Sequence, residues 1–190
     1  MFYDCTSLTQ APELPSTTLA NNCYASMFEN CTSLTQAPVL PAMTLATDCY
    51  NGMFYGCSSL TQAPELPATT LANRCYFNMF SYCKSLTQAP VLPSTKLDNY
   101  CYNNMFTSCT SLTQAPELPA TTLANYCYTN MFSGCTNLNT ITLGYTGNFA
   151  DAPNMAFSNW VSSVSSTGTF YYNGSDTTTG TSAIPTGWTV

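Results

Sequence analysis

The chain has 190 residues, and only 6% of them are charged, against roughly a quarter in an average soluble protein. Three Lys and Arg residues against nine Asp and Glu residues, with no His, give a net charge of −6. Such a chain has no basic patch for phosphates, so nucleic acid is not an expected partner. No apolar run approaches the ~18–20 residues that span a bilayer, so we expect no membrane span.

The first residues match a stretch that returns throughout the chain. The opening "MFYDC" matches "MFENC", "MFYGC", "MFSYC", "MFTSC" and "MFSGC" further on. Met1 therefore stands where the repeat itself places a methionine. We expect the chain to begin within a truncated repeat, with no signal peptide in this stretch and with room for a signal sequence and further repeats upstream.

Counted from cysteine to cysteine, the chain repeats every 26 residues. The units, here called rungs 1 to 5, are 5–30, 31–56, 57–82, 83–108 and 109–134. This period lies in the range of leucine-rich repeats, and one unit is too small to bury its own apolar face. The sequence therefore predicts a solenoid of stacked rungs.

The first half of each rung, "SLTQAPEL" in rung 1, predicts a short parallel strand. Leu34 and Ala37 are expected to point inward, and Thr35 and Gln36 to lie near the surface. Pro38 lacks an N–H and would interrupt a longer ladder. We therefore expect strands of three or four residues, followed by a proline-rich turn.

The second half of each rung predicts a helix. From rung 2 to the first residue of rung 3, Leu45, Cys49, Met53 and Cys57 recur at every fourth residue, which is the spacing of a helical stripe. A threonine before the leucine, such as Thr70 in rung 3, is the expected N-cap. The same reasoning places a cap at Thr18.

Residues 139–190 are expected to form a C-terminal capping repeat with closing strands, after repeats that occupy 1–138. "NTITLG" and "GTFYY" predict strands, and Asp151 with Pro153 predicts a helix start. Terminal repeats must cover the open end of the core. Five residues are predicted to continue the frame of Cys127, Tyr128, Met131, Phe132 and Cys135: Ala156, Phe157, Trp160, Val161 and Val164.

Eleven cysteines form two columns along the repeats, and their spacing argues against chemistry. Zinc sites need closely paired ligands, commonly with His, and a catalytic cysteine needs a base. Neither exists here, so no metal, cofactor or catalytic residue is predicted. Disulfides between adjacent rungs remain an alternative, but small buried hydrophobic residues are the favoured interpretation.

A glutamine follows the strand threonine in every rung, and this row is the candidate binding face. An amide row could bind a ligand, whereas the structural alternative is a side-chain ladder bonded from rung to rung. Exposed aromatic residues on the predicted helices, Phe77, Tyr100 and Tyr126, form a second candidate surface. The residues assigned to the first face are Thr35, Gln36, Thr61, Gln62, Glu65, Thr87 and Gln88.

The order C-x-x-L-x-x-A, L-P, then L-x-x-x-C-Y-x-x-M-F-x-x-C resembles the BspA-like leucine-rich repeats of bacterial and protist surface proteins. Met53-Phe54 of rung 2 and the next cysteine, Cys57, occupy the places of that family's "AF" pair and closing cysteine. The resemblance implies a right-handed leucine-rich-repeat solenoid with short parallel strands, one helix per 26-residue rung and a C-terminal cap.

The resemblance also implies a non-catalytic module at the cell surface or outside the cell. Its expected partners are proteins or glycans of a host or another microbe, bound for adhesion or recognition. The main alternative is a passive stalk or spacer of a larger surface protein, and a flat threonine surface for ice binding is a remote third.

Overall fold

A computed structural model describes all 190 residues as a stack of rungs around one continuous core. Its regular elements lie at the C-terminal end: strand β1 (Thr140–Leu143), a 3-10 turn (Phe149–Asp151) and strand β2 (Thr169–Tyr172). The strands pair in parallel, with Thr140 opposite Thr169 and Leu143 opposite Tyr172. The structure confirms both strands predicted in this region, and the rungs before them consist of turns and isolated bridges.

The prediction of one helix per rung is wrong, because the second half of each rung is a chain of turns. In rung 2 the N–H of Met53 donates to the carbonyl of Tyr50, three residues back, at 3.2 Å. The backbone N–H groups between such turns form hydrogen bonds to the next rung instead of within their own. The N–H of Tyr50 donates to the carbonyl of Cys75 in rung 3 at 3.1 Å, and that of Phe54 to Met79 at 3.0 Å. These bonds join successive rungs along what we call the turn side.

A positive φ at every fourth residue breaks the helix. In rung 2, Asp48, Gly52 and Gly56 have φ of 54°, 60° and 71°. A helix needs negative φ throughout, and left-handed backbone costs roughly 1–2 kcal/mol for most residues but little for Gly and somewhat less for Asn and Asp. Most of these positions hold such residues: Asn22, Asn30, Asp48, Gly52, Gly56, Asn78, Asn104, Asn130 and Gly134.

The strand side comprises 9–15, 35–41, 61–67, 87–93 and 113–119. The strands of three or four residues predicted there are also wrong, since proline N–H groups are missing and only single residues pair. The predicted caps Thr18 and Thr70 begin no helix, and Thr70 instead pairs with Thr44. The parallel bridges alternate between two places: Gln10–Gln36, Gln62–Gln88 and Gln114–Thr140 at the glutamines, and Thr44–Thr70 and Lys96–Thr122 beyond the prolines.

Identical side chains lie over one another in the core. Neighbouring rings of the phenylalanine column from Phe2 to Phe132 stack with centroids 5.5 to 5.7 Å apart. The tyrosine column from Tyr24 to Tyr128 has spacings of 5.9 to 6.1 Å. Each rung therefore covers the apolar face of the next, and the stacked columns form one continuous core.

The segment after rung 5 continues the turn side in the predicted frame. The backbone N–H of Tyr128 donates to the carbonyl of Ala156, 28 residues ahead. The backbone N–H of Tyr102 donates to the carbonyl of Cys127, only 25 residues ahead. The last rung is thus three residues longer. The helix predicted to start at Asp151 is wrong, because Asp151 ends the 3-10 turn and turns follow it. Trp160 is fully buried, and its indole N–H donates to the carbonyl of Ala183 at 2.9 Å.

Replacing Gly52 by Ala distinguishes a turn from a helix, because the free energy of unfolding should change in opposite directions in the two cases. In a helix the change stabilises the protein by about 1 kcal/mol. In the structure φ is +60°, so we expect a loss of about 1–2 kcal/mol in the free energy of unfolding, measured by urea denaturation.

The control is Asn78→Gly, at the same turn one rung later, where φ is 56°. Glycine accepts this conformation, so stability should stay nearly unchanged. A more stable Gly52→Ala variant would contradict the turn structure.

Candidate functional site

All seven residues of the predicted binding face are exposed and lie on the strand side. They sit in three successive rungs, so the structure brings them together as one surface about three rungs long. Glu65 lies three residues beyond Gln62, past Pro64. Equivalent Thr-Gln pairs extend the row at both ends, at 9–10 and 113–114.

The rungs are joined in pairs along this row. The Gln62 Nε2 donates to the Gln88 Oε1 at 3.2 Å, and the Thr87 N–H donates to the carbonyl of Thr61 at 3.0 Å. Thr35 bonds to Thr9 in the same way, at 3.2 Å. No hydrogen bond joins Gln36 to Gln62. The amide ladder considered above therefore exists between rungs 3 and 4 but does not run along the whole row.

Clefts open where the glutamine bridges are missing. Between rungs 2 and 3 lies a cleft of about 400 Å³, lined by Thr35, Gln36, Thr61 and Gln62 together with alanine and proline. A cleft of about 490 Å³ lies between rungs 4 and 5, lined by the equivalent residues and in addition by Val91 and Glu117. We call these two the polar clefts. Both offer amide and hydroxyl groups to a ligand, and the second also offers the Glu117 carboxylate.

A second kind of cleft lies where the glutamines are bridged, further along the strand side. Between rungs 1 and 2 it measures about 390 Å³, and between rungs 3 and 4 about 460 Å³. We call these the proline clefts, since each is lined by prolines from both rungs. Glu13 and Val39 line the first, and Glu65 and Val91 the second. Val39 and Val91 are each 77% exposed.

An alternation in the sequence, which keeps like charges apart, accompanies this pairing of rungs. Glu and Val alternate at one repeat position, so that Glu13, Glu65 and Glu117 lie two rungs apart. The alternation matches the alternating bridges and clefts. None of these three carboxylates forms an ion pair, because the single salt bridge joins Arg74 to Asp48 on the turn side at 2.9 Å.

The aromatic residues of the second candidate surface contact their neighbours. Tyr100 and Tyr126 stack at 4.5 Å between centroids, and the Asn154 amide donates to the Tyr126 hydroxyl at 3.3 Å. Arg74 lies over the ring of Phe77 at 4.3 Å. All three rings are half-buried, so they offer less free surface than the strand side.

All eleven cysteines are free thiols, and nine are buried. Thiols of one column donate to backbone carbonyls; Cys57, for example, donates to Phe28 at 3.0 Å. Burial raises the pKa of Cys49 and of Cys57 to about 12. Such thiols form little thiolate at neutral pH and pack as small apolar residues. No group of three or more His, Cys, Asp or Glu side chains is placed to hold a metal ion.

Three tyrosine hydroxyls of the core, those of Tyr50, Tyr102 and Tyr128, are buried without a hydrogen-bond partner in the protein. Burial raises the pKa of each of these hydroxyls. An unpartnered buried hydroxyl costs roughly 1–3 kcal/mol. The position equivalent to Tyr128 in the last rung holds Phe157, which has no such group.

Comparison with known proteins identifies the class. The model of the BspA type leucine-rich repeat region matches six copies, over residues 1–113 and 47–165. The chain therefore belongs to the BspA-type leucine-rich repeat family, as its motifs indicated. Proteins of this family are typically surface-associated repeat modules for protein interaction and are generally non-catalytic.

No curated protein and no solved structure matches the chain. The structure itself contains no helix with the length and apolar character needed to cross a membrane.

The buried thiols predict a loss of stability in alkali. Cys49 and Cys57 keep their protons up to about pH 12 when folded, whereas an unfolded thiol releases its proton near pH 9. Above pH 9 the unfolded chain binds fewer protons, so the free energy of unfolding falls by up to about 1.4 kcal/mol per pH unit for each such thiol. Denaturant titrations of the reduced protein from pH 7 to 11 should show a flat region and then a steep decline.

Cys49→Ala should make that decline shallower, because it removes one of the buried thiols. Stability that stays constant to pH 11 in the reduced protein would show that the thiols are not buried as described.

Replacing Tyr102 by Phe removes one unpartnered hydroxyl and keeps the stacked ring. We expect the free energy of unfolding to rise, by about 1 kcal/mol, in thermal or urea denaturation. The control Tyr126→Phe removes a hydroxyl that accepts a hydrogen bond at the surface and should be neutral or slightly destabilising. A marked loss at Tyr102 would mean that its hydroxyl has a bonding partner.

Proposed function

We propose that this chain is a non-catalytic adhesion or recognition module at the cell surface or outside the cell. It binds a protein or glycan of a host or another microbe. Membership of a family of surface repeat modules supports the class of function. The observation that supports a binding role for this chain is the polar cleft between rungs 2 and 3, where Gln36 and Gln62 face solvent without bonding to each other.

The polar clefts suit a ligand that is recognised by hydrogen bonds. Each amide carries two N–H donors and a carbonyl acceptor, and each threonine hydroxyl can donate and accept. Several such groups repeat at fixed spacing, so an extended partner would meet equivalent contacts in successive rungs. Many moderate contacts along a long surface are typical of solenoid binding proteins.

In this proposal residues 1–138 form the binding array, and residues 139–190 close its C-terminal end. Support comes from the aromatic core of that segment. Trp160 and Phe170 are fully buried, and Trp188 is 8% exposed. The Trp188 indole N–H donates to the carbonyl of Ser165 at 2.8 Å. This packing covers the last rung and leaves the strand side of rungs 1 to 5 free.

The second candidate function is a passive stalk. The observation in its favour is the regular bonding of the turn side, since rung-to-rung hydrogen bonds of 2.7 to 3.1 Å give a continuous rod. A stalk needs no specific partner. It also needs no open cleft between its rungs, and this is why we favour the binding module.

The test is a screen of immobilised surface proteins and glycans, followed by titration of each positive case. The double variant Gln36→Ala, Gln62→Ala should bind at least fivefold more weakly, because it removes the amides of the polar cleft. A matched double variant on the turn side, Phe77→Ala with Tyr100→Ala, should retain affinity. Melting curves followed by circular dichroism serve to check that both variants are folded.

Loss of binding only in the turn-side variant would move the site to the aromatic residues. A screen without any saturable partner would favour the stalk.

A further inference from the structure

The two proline clefts are the strongest unassigned feature, because they repeat. Each combines two rungs, an exposed valine and an exposed glutamate on the same walls of proline and leucine. The first uses Glu13 and Val39, and the second uses Glu65 and Val91, 52 residues further along the chain. The binding face therefore has a period of two rungs, twice that of the fold.

This period has a definite length. At the bridged residues of the strand side, rungs lie ~4.8 Å apart as in a parallel ladder, so equivalent residues two rungs apart are separated there by ~9.6 Å. A polyproline II helix has three residues per turn and rises 3.1 Å per residue, so it presents the same face every ~9.3 Å. A peptide in this conformation, lying along the strand side, would repeat its face once for each two rungs, over the two turns that separate Glu13 from Glu117.

The charges of the strand side select the kind of peptide. Glu13, Glu65 and Glu117 are exposed, unpaired and separated by the same two rungs. A cation at every third residue of a polyproline II helix would come close to each carboxylate in turn. The neighbouring edge of the helix would lie against Val39 and Val91, and the third edge would face solvent.

The backbone of such a peptide also finds partners. A polyproline II chain makes no internal hydrogen bonds, so its carbonyls are free to accept. The second proline cleft is bordered by Gln62 and Gln88. Gln88 accepts from Gln62, and its own amide N–H groups are engaged in no hydrogen bond within the protein. They can donate to a peptide carbonyl at the edge of the cleft.

We propose that the strand side binds an extended, proline-rich cationic peptide segment with a Lys or Arg at every third residue. The inference rests on the proposed binding function and names its partner class. A neutral glycan is the less favoured occupant, since a row of unpaired carboxylates beside exposed valines complements cationic and apolar groups better than sugar hydroxyls.

The probe is the fluorescent peptide (Lys-Pro-Ala)5, measured by polarisation in 50 mM salt. Two comparison peptides isolate charge and period: (Glu-Pro-Ala)5, and a peptide of five Lys-Pro-Ala-Ala units that keeps the charge but spaces it by four residues. We expect the first probe to bind at least tenfold more tightly than the acidic peptide and at least fivefold more tightly than the four-residue repeat.

Variants locate the site. Glu65→Gln should weaken binding of (Lys-Pro-Ala)5 about threefold to fivefold, and Val91→Ser about threefold. The matched control Glu29→Gln removes a carboxylate from the turn side and should change nothing. All three positions are at least partly exposed, so the fold should persist in each variant.

Equal affinity for the three-residue and four-residue cationic repeats would overturn the proposal, because only general charge attraction would then be at work. Failure of every peptide, with a protein or glycan bound through the polar clefts, would overturn this inference and leave the proposed function standing. Failure of both the peptides and the screen would reject the two together.

Discussion

The hydrogen bonds between rungs on the turn side are the interaction on which the rest of the structure depends. Alternate amides donate to the next rung, as Tyr50 does to Cys75, and the amides between them close turns within the rung. A helix would use every amide internally and could not be stacked this way. The positive φ at every fourth residue makes the arrangement possible, because it turns the intervening N–H groups outward along the axis.

This bonding fixes the core and frees the opposite side. Since each rung is held in register with the next, identical residues stack into columns, and the Cys57 thiol reaches the carbonyl of Phe28, 29 residues earlier in the chain. The strand side does not have to carry the stack. Prolines can therefore interrupt its ladder, and its bridges can alternate between two places, which opens the polar and proline clefts. The candidate binding surface thus follows from where the stacking bonds lie.

Much of this was predictable from the sequence. The period identified the rungs, the apolar positions identified the core, and the exposure of Thr35 and Gln36 followed from their polar side chains between the apolar Leu34 and Ala37. The frame of the last rung was also correct, because Phe157 and Trp160 are large apolar residues that stand where rung 5 has Tyr128 and Met131. These features depend only on which side chains are buried, and the pattern of apolar residues predicts burial directly.

The turns that replace the predicted helix could not be recognised from the apolar pattern. Apolar residues at every fourth position, such as Cys49 and Met53, fit a helix and a chain of four-residue turns equally well. The deciding signal was the polar and glycine residues between them, Asp48, Gly52 and Gly56, which favour left-handed backbone. The alternation of Glu and Val has the same two-rung period as the pairing of rungs. Only the bridges of the folded chain reveal that pairing.

The most direct test is to measure scalar couplings across hydrogen bonds by NMR on the labelled protein. The coupling from the amide nitrogen of Tyr50 identifies its acceptor carbonyl. The structure predicts a coupling to Cys75, in the next rung, with equivalent couplings from Tyr76 to Cys101 and from Phe54 to Met79. A coupling from Tyr50 to the carbonyl of Ala46, four residues back, would show a helix and contradict the account.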